Sequence, residues 1–229
     1  MRQVFFQKPW IYSEEPPQLR DIYLKYGSLE LLGRGTPLMN GGPEGKFYYL
    51  KKGLAAFSFQ DKHERSFIFS LVIPGRALAD IDGLTRELVN VTDSVIRPSE
   101  VLSITYDVWQ KHIGNNPELM LLYTKGVVAK EETHMEAMIA NYTLSVPERL
   151  RVFLKVLVTS YNPEIKEGWN MLPIYLSHRE YAQILGASEV TVCRTVVEMY
   201  EKKLMSRNKR NIYVHSSLFE NMYDWTEMQ

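Results

Sequence analysis

The chain has 229 residues, 45% of them hydrophobic, enough to form one large core or two small ones. Its 27 lysines and arginines balance 27 aspartates and glutamates, and this zero net charge argues against indiscriminate nucleic-acid binding. The single cysteine, Cys193, excludes an internal disulfide, and no apolar run reaches the roughly 18 residues of a membrane span. The opening MRQVFFQKPW lacks the apolar core and cleavage site of a secretory signal, so a cytoplasmic protein without membrane contact is expected.

Residues 1–30 are mixed in character; after Pro9, Pro16 and Pro17 a helix is expected over 19–26, with no role assigned to it. From 31 to 104 the chain breaks every eight to twelve residues at Gly or Pro, between short β-rich runs at 47–50, 55–59 and 67–73. That rhythm predicts a β-sandwich or roll. Asn116 and Pro117 then open a helical pattern that runs to about Tyr142, far beyond the mean globular helix. Leu121, Val128, Met135 and Tyr142 are spaced by seven, with Thr124, Glu131 and Met138 between them, an imperfect heptad seam. Spacing alone fits a dimer seam and an intramolecular core face equally well. Glu131 is the misfit and needs a partner or solvent.

Ser145 and Glu148 form a capping box, with Pro147 in the first turn, and start a helix whose Leu150, Phe153, Leu154 and Leu157 share a face. A hinge is expected at 143–145. Residues 162–173, with Gly168 and two prolines, read as a loop or hairpin. A further capping box, Ser177 with Glu180, opens a short helix carrying Tyr181, Ala182, Ile184 and Leu185, closed by Gly186 where a left-handed residue is wanted. Ser188 caps a second helix that turns Val192, Val196 and Met199 inward. Its other face carries Glu189, Val190, Cys193, Arg194 and Val197.

Two short capped helices around a tight turn make a helix-turn-helix, in which the second helix meets base edges with its N-terminal residues. Arg194 suits a fork onto guanine, Val190 a thymine methyl and Glu189 a cytosine amino group; Ser188 and Thr191 stand beside them. Residues 202–210 then hold five cations, among them Arg207, Lys209 and Arg210, and no acid, leading into the alternating Ile212, Tyr213, Val214. Alone this cluster reads as a solvated turn. Directly after the helix pair it reads as a wing that grips phosphates of double-stranded DNA.

The run SHREYAQILGASEVTVCRTVVEMYEKKLM followed by a hairpin resembles the C-terminal domain of the cyclic AMP receptor and fumarate-nitrate regulator (CRP/FNR) family of bacterial transcription factors. Upstream, GRGTPLMNGGPEGKFYYLKKG is similar to that family's opening β-roll strands, LVIPGRALADIDGL to its PGD-x-x-G-E effector segment, and IRPSEVLSITYDVWQKHIGNNPELM to its passage into the long central helix. The resemblance covers about residues 20 to 220. It implies an α+β protein with an N-terminal double-stranded β-helix (a cyclic-nucleotide-binding-like roll) over 1–115, a long dimerisation helix over 116–143 and a winged helix-turn-helix over 144–229. It also implies a homodimer with Leu121, Val128, Met135, Met138 and Tyr142 at its interface, and RNA polymerase as a further partner.

In the cyclic nucleotide branch of the family a Gly-Glu pair holds the ribose and an Arg-Ser pair the phosphate; the aligned residues here are Ala79 and Asp80, then Val89 and Asn90. Without that arginine nothing forks onto a cyclic phosphate, so cyclic AMP is not the expected effector. Arg86 stands three residues away. Val89, Tyr123, Val127 and Met138 as an apolar wall, with Asp80, Arg86, Asn90 and His134 as polar groups, suit an unidentified small organic effector, an aromatic or an acid. One cysteine cannot hold an iron-sulfur cluster, nothing marks His63 or His134 as a haem ligand, and no metal site is expected. The expectation is an effector-responsive homodimeric DNA-binding regulator and not an enzyme. The alternatives are a regulator without an effector or one switched by Cys193 oxidation, a metal-dependent cupin in which His63 and His112 would have to act alone, and a module whose helix pair contacts protein.

Overall fold

Pro16 and Pro17 lack the backbone donors that a first helical turn leaves unused, and α1 (Pro17–Tyr26) begins on them. The computed structural model describes residues 8–38, 45–87 and 91–222, which divide into a roll unit, Tyr12–Thr133, and a C-terminal unit of residues 8–11 and 134–222. In the roll unit, β1 (Ser28–Leu32), β2 (Pro37–Leu38), β3 (Lys46–Gln60), β4 (Ser66–Val72), β5 (Arg76–Leu78) and β6 (Val91–Thr105) form a six-stranded sheet. Its order is β1-β6-β3-β4, with β2 also on β6 and β5 on β3, all antiparallel. The short helix α2 (Asp80–Thr85) follows β5.

The runs expected separately at 47–50 and 55–59 are one strand, β3. Gly53 explains the difference. Its φ is +105°, and a Cβ there would lie 2.2 Å from Ser99 Oγ, so the chain approaches β6 too closely for any side chain. The register slips around it, between Leu50 and Lys52, between Lys52 and Leu54 and between Leu54 and Ala55. The glycine therefore bulges the strand without ending it.

Two buried clusters hold the unit together. Leu19, Ile22 and Tyr23 of α1 pack with Phe47, Tyr49, Leu102, Ile104, Trp109 and Tyr123, while Tyr12, Leu38, Leu50, Val72, Leu78, Val95 and Val101 form the second core. After β6, Thr105 caps α3 (Tyr106–Trp109), which passes through a π-helical turn, Gln110–Gly114. Asn116 Oδ1 then accepts from the Glu118 and Leu119 N–H groups and opens α4 (Pro117–Thr143). The division between the units falls inside this helix, after Thr133.

In the C-terminal unit, the Ser145 N–H and Oγ–H both donate to Glu148, at 2.8 and 2.6 Å, and fix the start of α5 (Val146–Tyr161). Leu150, Phe153, Leu154 and Leu157 are fully buried along its inner face. The N-terminal segment, unassigned from sequence, has a structural part here. Trp10 is completely buried and meets Phe153 edge-on at 5.8 Å, and Phe153 meets Tyr181 in the same way at 5.8 Å. Beyond α5, the span 162–173 contains a strand, β7 (Trp169–Met171), in addition to loop. It pairs with β9 (Asn211–His215), which pairs with β8 (Met205–Asn208), giving a three-stranded sheet. Between β7 and β8 lie α6 (His178–Leu185) and α7 (Glu189–Glu201).

Candidate functional site

The helix pair is built from its caps. The Ser177 N–H donates to Glu180 Oε2 at 2.8 Å while Ser177 Oγ accepts from the Glu180 N–H at 3.2 Å, so two free donors at the start of α6 are satisfied reciprocally. Gly186 ends the helix at φ +57°, a left-handed turn that a β-carbon would strain. Two residues later Ser188 Oγ accepts from the Thr191 N–H at 3.1 Å and starts α7. Val192, Thr195, Val196 and Met199 of α7 are buried, with Thr195 joining the three positions expected inside. Ser188, Glu189, Val190, Thr191 and Arg194 are all exposed, and Cys193 is half-buried at the border of that face. The exposed surface thus combines a cation, a carboxylate, hydroxyls and an isopropyl group on one rigid helix end.

The basic hairpin continues it. In the turn from β8 to β9, Asn208 pairs with Asn211 and Lys209 adopts φ +56°, its carbonyl accepting from Arg207 Nε at 3.0 Å. Arg207, Lys209 and Arg210 are exposed, and none is in a salt bridge among the described residues. β7 backs β9 from its other edge, which braces the hairpin. Along α4, the expected seam residues Leu121, Val128, Met135, Met138 and Tyr142 are all exposed, from 42% at Met135 to 91% at Tyr142. Five large apolar side chains exposed along one helix are what an unpaired dimer seam presents.

The roll unit holds a buried charge cluster where the small-molecule site was expected. Asp80 is buried; its Oδ2 lies 2.5 Å from Lys130 Nζ and its Oδ1 accepts from Tyr123 Oη at 3.0 Å. Lys130 also pairs with Glu15 Oε1 at 2.8 Å, donates to the Ala77 carbonyl at 3.0 Å and sits 5.2 Å from the Tyr12 ring centre. Burial opposes the ammonium charge, but the Asp80 and Glu15 carboxylates outweigh it and hold the Lys130 pKa well above the ordinary lysine value. Burial likewise pushes the Tyr12 and Tyr123 hydroxyls well up, keeping both protonated.

Of the expected effector residues, Asp80, Arg86, Tyr123 and Val127 lie in the roll unit. Tyr123 stacks edge-on against Trp109 at 5.2 Å with Val127 packed on the same cluster, and Arg86 lies 5.2 Å over the Tyr106 ring. His134, half-buried, and Met138, exposed, belong to the C-terminal unit. Val89 and Asn90 lie outside the described residues. Sequence reasoning missed Lys130 and Glu15; a lysine among buried positions of a long helix was the available signal. The isolated histidines have local roles: His112 stacks on Tyr26 at 4.0 Å, and the His63 N–H donates to Asp61 in an exposed turn.

No family model matches the chain. It is 26% identical over 188 residues to the "Global nitrogen regulator" of Nostoc sp., covering 79% of this chain and 81% of that protein. It is 24% identical over 186 residues to the "cAMP-activated global transcriptional regulator CRP" of Pasteurella multocida, covering 80% and 87%. Among solved structures, FixK2 from Bradyrhizobium japonicum superposes with a TM-score of 0.73 at 14% identity, over 86% of this chain and 96% of that one, a likeness of fold. The chain is thus similar in sequence and in fold to CRP/FNR-type transcription regulators. These relatives are named as regulators of transcription or nitrogen use, and among the described residues of this chain no helix is long and apolar enough to cross a membrane.

Against the CRP/FNR effector pattern PGD-x-x-G-E, this chain has Arg76 at the third position, Ala79 at the glycine and Asp80 at the glutamate. Ala79 nevertheless keeps φ +71°, a conformation in which the pattern's glycine is at ease and an alanine is strained by about 1 kcal/mol. Relative to that pattern, the segment's side-chain chemistry differs at three positions.

Proposed function

We propose that this regulator acts as a homodimer that reads a near-palindromic DNA operator, with the α7 helix of each copy entering successive major grooves about 34 Å apart. The observation that carries this is the capped helix pair. It presents Val190 and Arg194 outward near the N-terminal end of α7, next to a hairpin whose Arg207, Lys209 and Arg210 are exposed. In this reading Arg194, Val190 and Glu189 meet base edges and the hairpin cations, with Ser188 and Thr191, meet the backbone. The α4 seam joins the two copies, and RNA polymerase is the further partner in the cytoplasm.

Effector control belongs to the same reading, as a shift in the populations of two arrangements transmitted along α4 and the hinge at 143–145. With Asp80 committed to Lys130 and Tyr123, a small molecule at that point would have to displace those partners. Titrating salt against a random duplex tests the DNA reading. Affinity at low salt that falls linearly in log–log form supports it, whereas no affinity at low salt favours a helix pair that contacts protein.

A further inference from the structure

The segment that supplies Glu15 behaves toward the roll as a bound peptide would. Among the described residues β5 pairs with β3 only, so its second edge is available to other partners. Side chains and backbone of residues 12–15 cover it. The Glu15 N–H donates to the Gly75 carbonyl at 2.9 Å, Arg76 Nε donates to the Tyr12 carbonyl at 2.7 Å, and Tyr12 Oη donates to the Ala77 carbonyl at 2.9 Å. At the end of the segment the Glu15 carboxylate receives the Ala77 N–H at 3.2 Å and Lys130 Nζ at 2.8 Å, both in the interior. An ammonium has three protons, and those of Lys130 are matched by Glu15, Asp80 and the Ala77 carbonyl. Two of the departures from the family pattern hold this arrangement: Arg76 grips Tyr12, and Asp80 shares Lys130 with Glu15.

We propose that residues 12–15 are a tethered ligand of the roll: the Glu15 carboxylate fills an anion site made by Lys130 Nζ and the Ala77 N–H, which without it takes a small carboxylate from solution. The site is therefore loaded by the chain itself, and an exogenous effector at this point has to displace Glu15 or act elsewhere. This holds whether or not the helix pair reads DNA, and its test contains no DNA.

The test is chemical rescue in the full chain. Glu15→Ala deletes the carboxylate and leaves a space lined by two donors, and the expected fall in melting midpoint is on the order of 10 °C. Formate at about 100 mM, binding with a Kd near 10 mM, then raises that midpoint by about 3 to 5 °C over sodium chloride of equal ionic strength. Wild type, Glu15→Gln (in which the amide keeps the space filled) and the double variant Glu15→Ala/Lys130→Met show no such gain. If Glu15→Ala folds only when prepared in formate and unfolds on dialysis, the proposal stands. Equal gains in wild type and variant, no gain in the variant, or failure to fold even in formate overturns it.

Discussion

Replacing Lys130 with methionine keeps the bulk of the side chain and removes its charge, which isolates the electrostatic part of the roll's interior. Asp80 and Glu15 are buried and both lie within 2.8 Å of the ammonium, so the variant leaves two carboxylates facing each other without a counter-ion. Removing one partner of a buried pair costs about 3 to 5 kcal/mol, and two orphaned acids place this variant at the upper end. With a urea m-value near 2 kcal/mol/M for a unit of this size, the roll transition should move down by about 2.5 M. Urea titration followed by tryptophan fluorescence measures it, since Trp109 lies in the adjoining core. The pH dependence has a definite sign. The folded Lys130 pKa is raised, so its contribution is fully present below the unfolded lysine value of about 10.4 and is lost as pH climbs through the folded value. The gap between wild type and variant should therefore hold from neutral pH to about 10 and narrow only above it. The triple variant Glu15→Gln/Asp80→Asn/Lys130→Met, with no charge left among these three side chains, should regain most of the loss. A single variant within about 1 kcal/mol of wild type, or a triple variant no better than the single, would refute the reasoning.

Arg194→Ala should cost about 1 to 3 kcal/mol of discrimination at one base position per half-site while non-specific affinity changes little, as read from competition gel shifts with single-base variants. Arg210→Ala should weaken all sequences alike and reduce the salt slope by about 1 per hairpin. Val128→Glu puts a carboxylate on the exposed seam and should yield monomers by sedimentation velocity, with the melting of the roll unchanged. Ala79→Gly should stabilise the roll by up to about 0.5 kcal/mol in urea titration, because φ +71° strains alanine slightly more than glycine's added chain entropy costs.

What could be read from sequence was local. The boxes at Ser145 and Ser177, the cap at Ser188 and the left-handed Gly186 act over three or four residues, and the structure places them where that short reach predicts. The inward and outward faces of α7 follow from the same short period. Contacts between distant residues left no such mark. Gly53 has the look of a strand break, because the surface it approaches, Ser99, comes from another strand. β7 has three residues with only Asn170 buried, too short for an alternating pattern, and its partner β9 follows two helices later. Glu15 and Lys130 are far apart in the chain, and neither lies in a motif; Trp10 and Phe153 are likewise joined only by folding. The family pattern drew attention to Asp80 but not to the lysine that holds it.

The central claim is that two copies of this chain read DNA through α7. Selection of bound sites from a random duplex pool, with methylation interference on the winners, tests it most directly. The expected result is near-palindromic sites with two major-groove contact windows about one helical turn, 34 Å, apart on one face of the duplex, and relaxation at the matching positions with Arg194→Ala. Failure to enrich any sequence at low salt, or a single unrepeated contact window unchanged by Arg194→Ala, would contradict it.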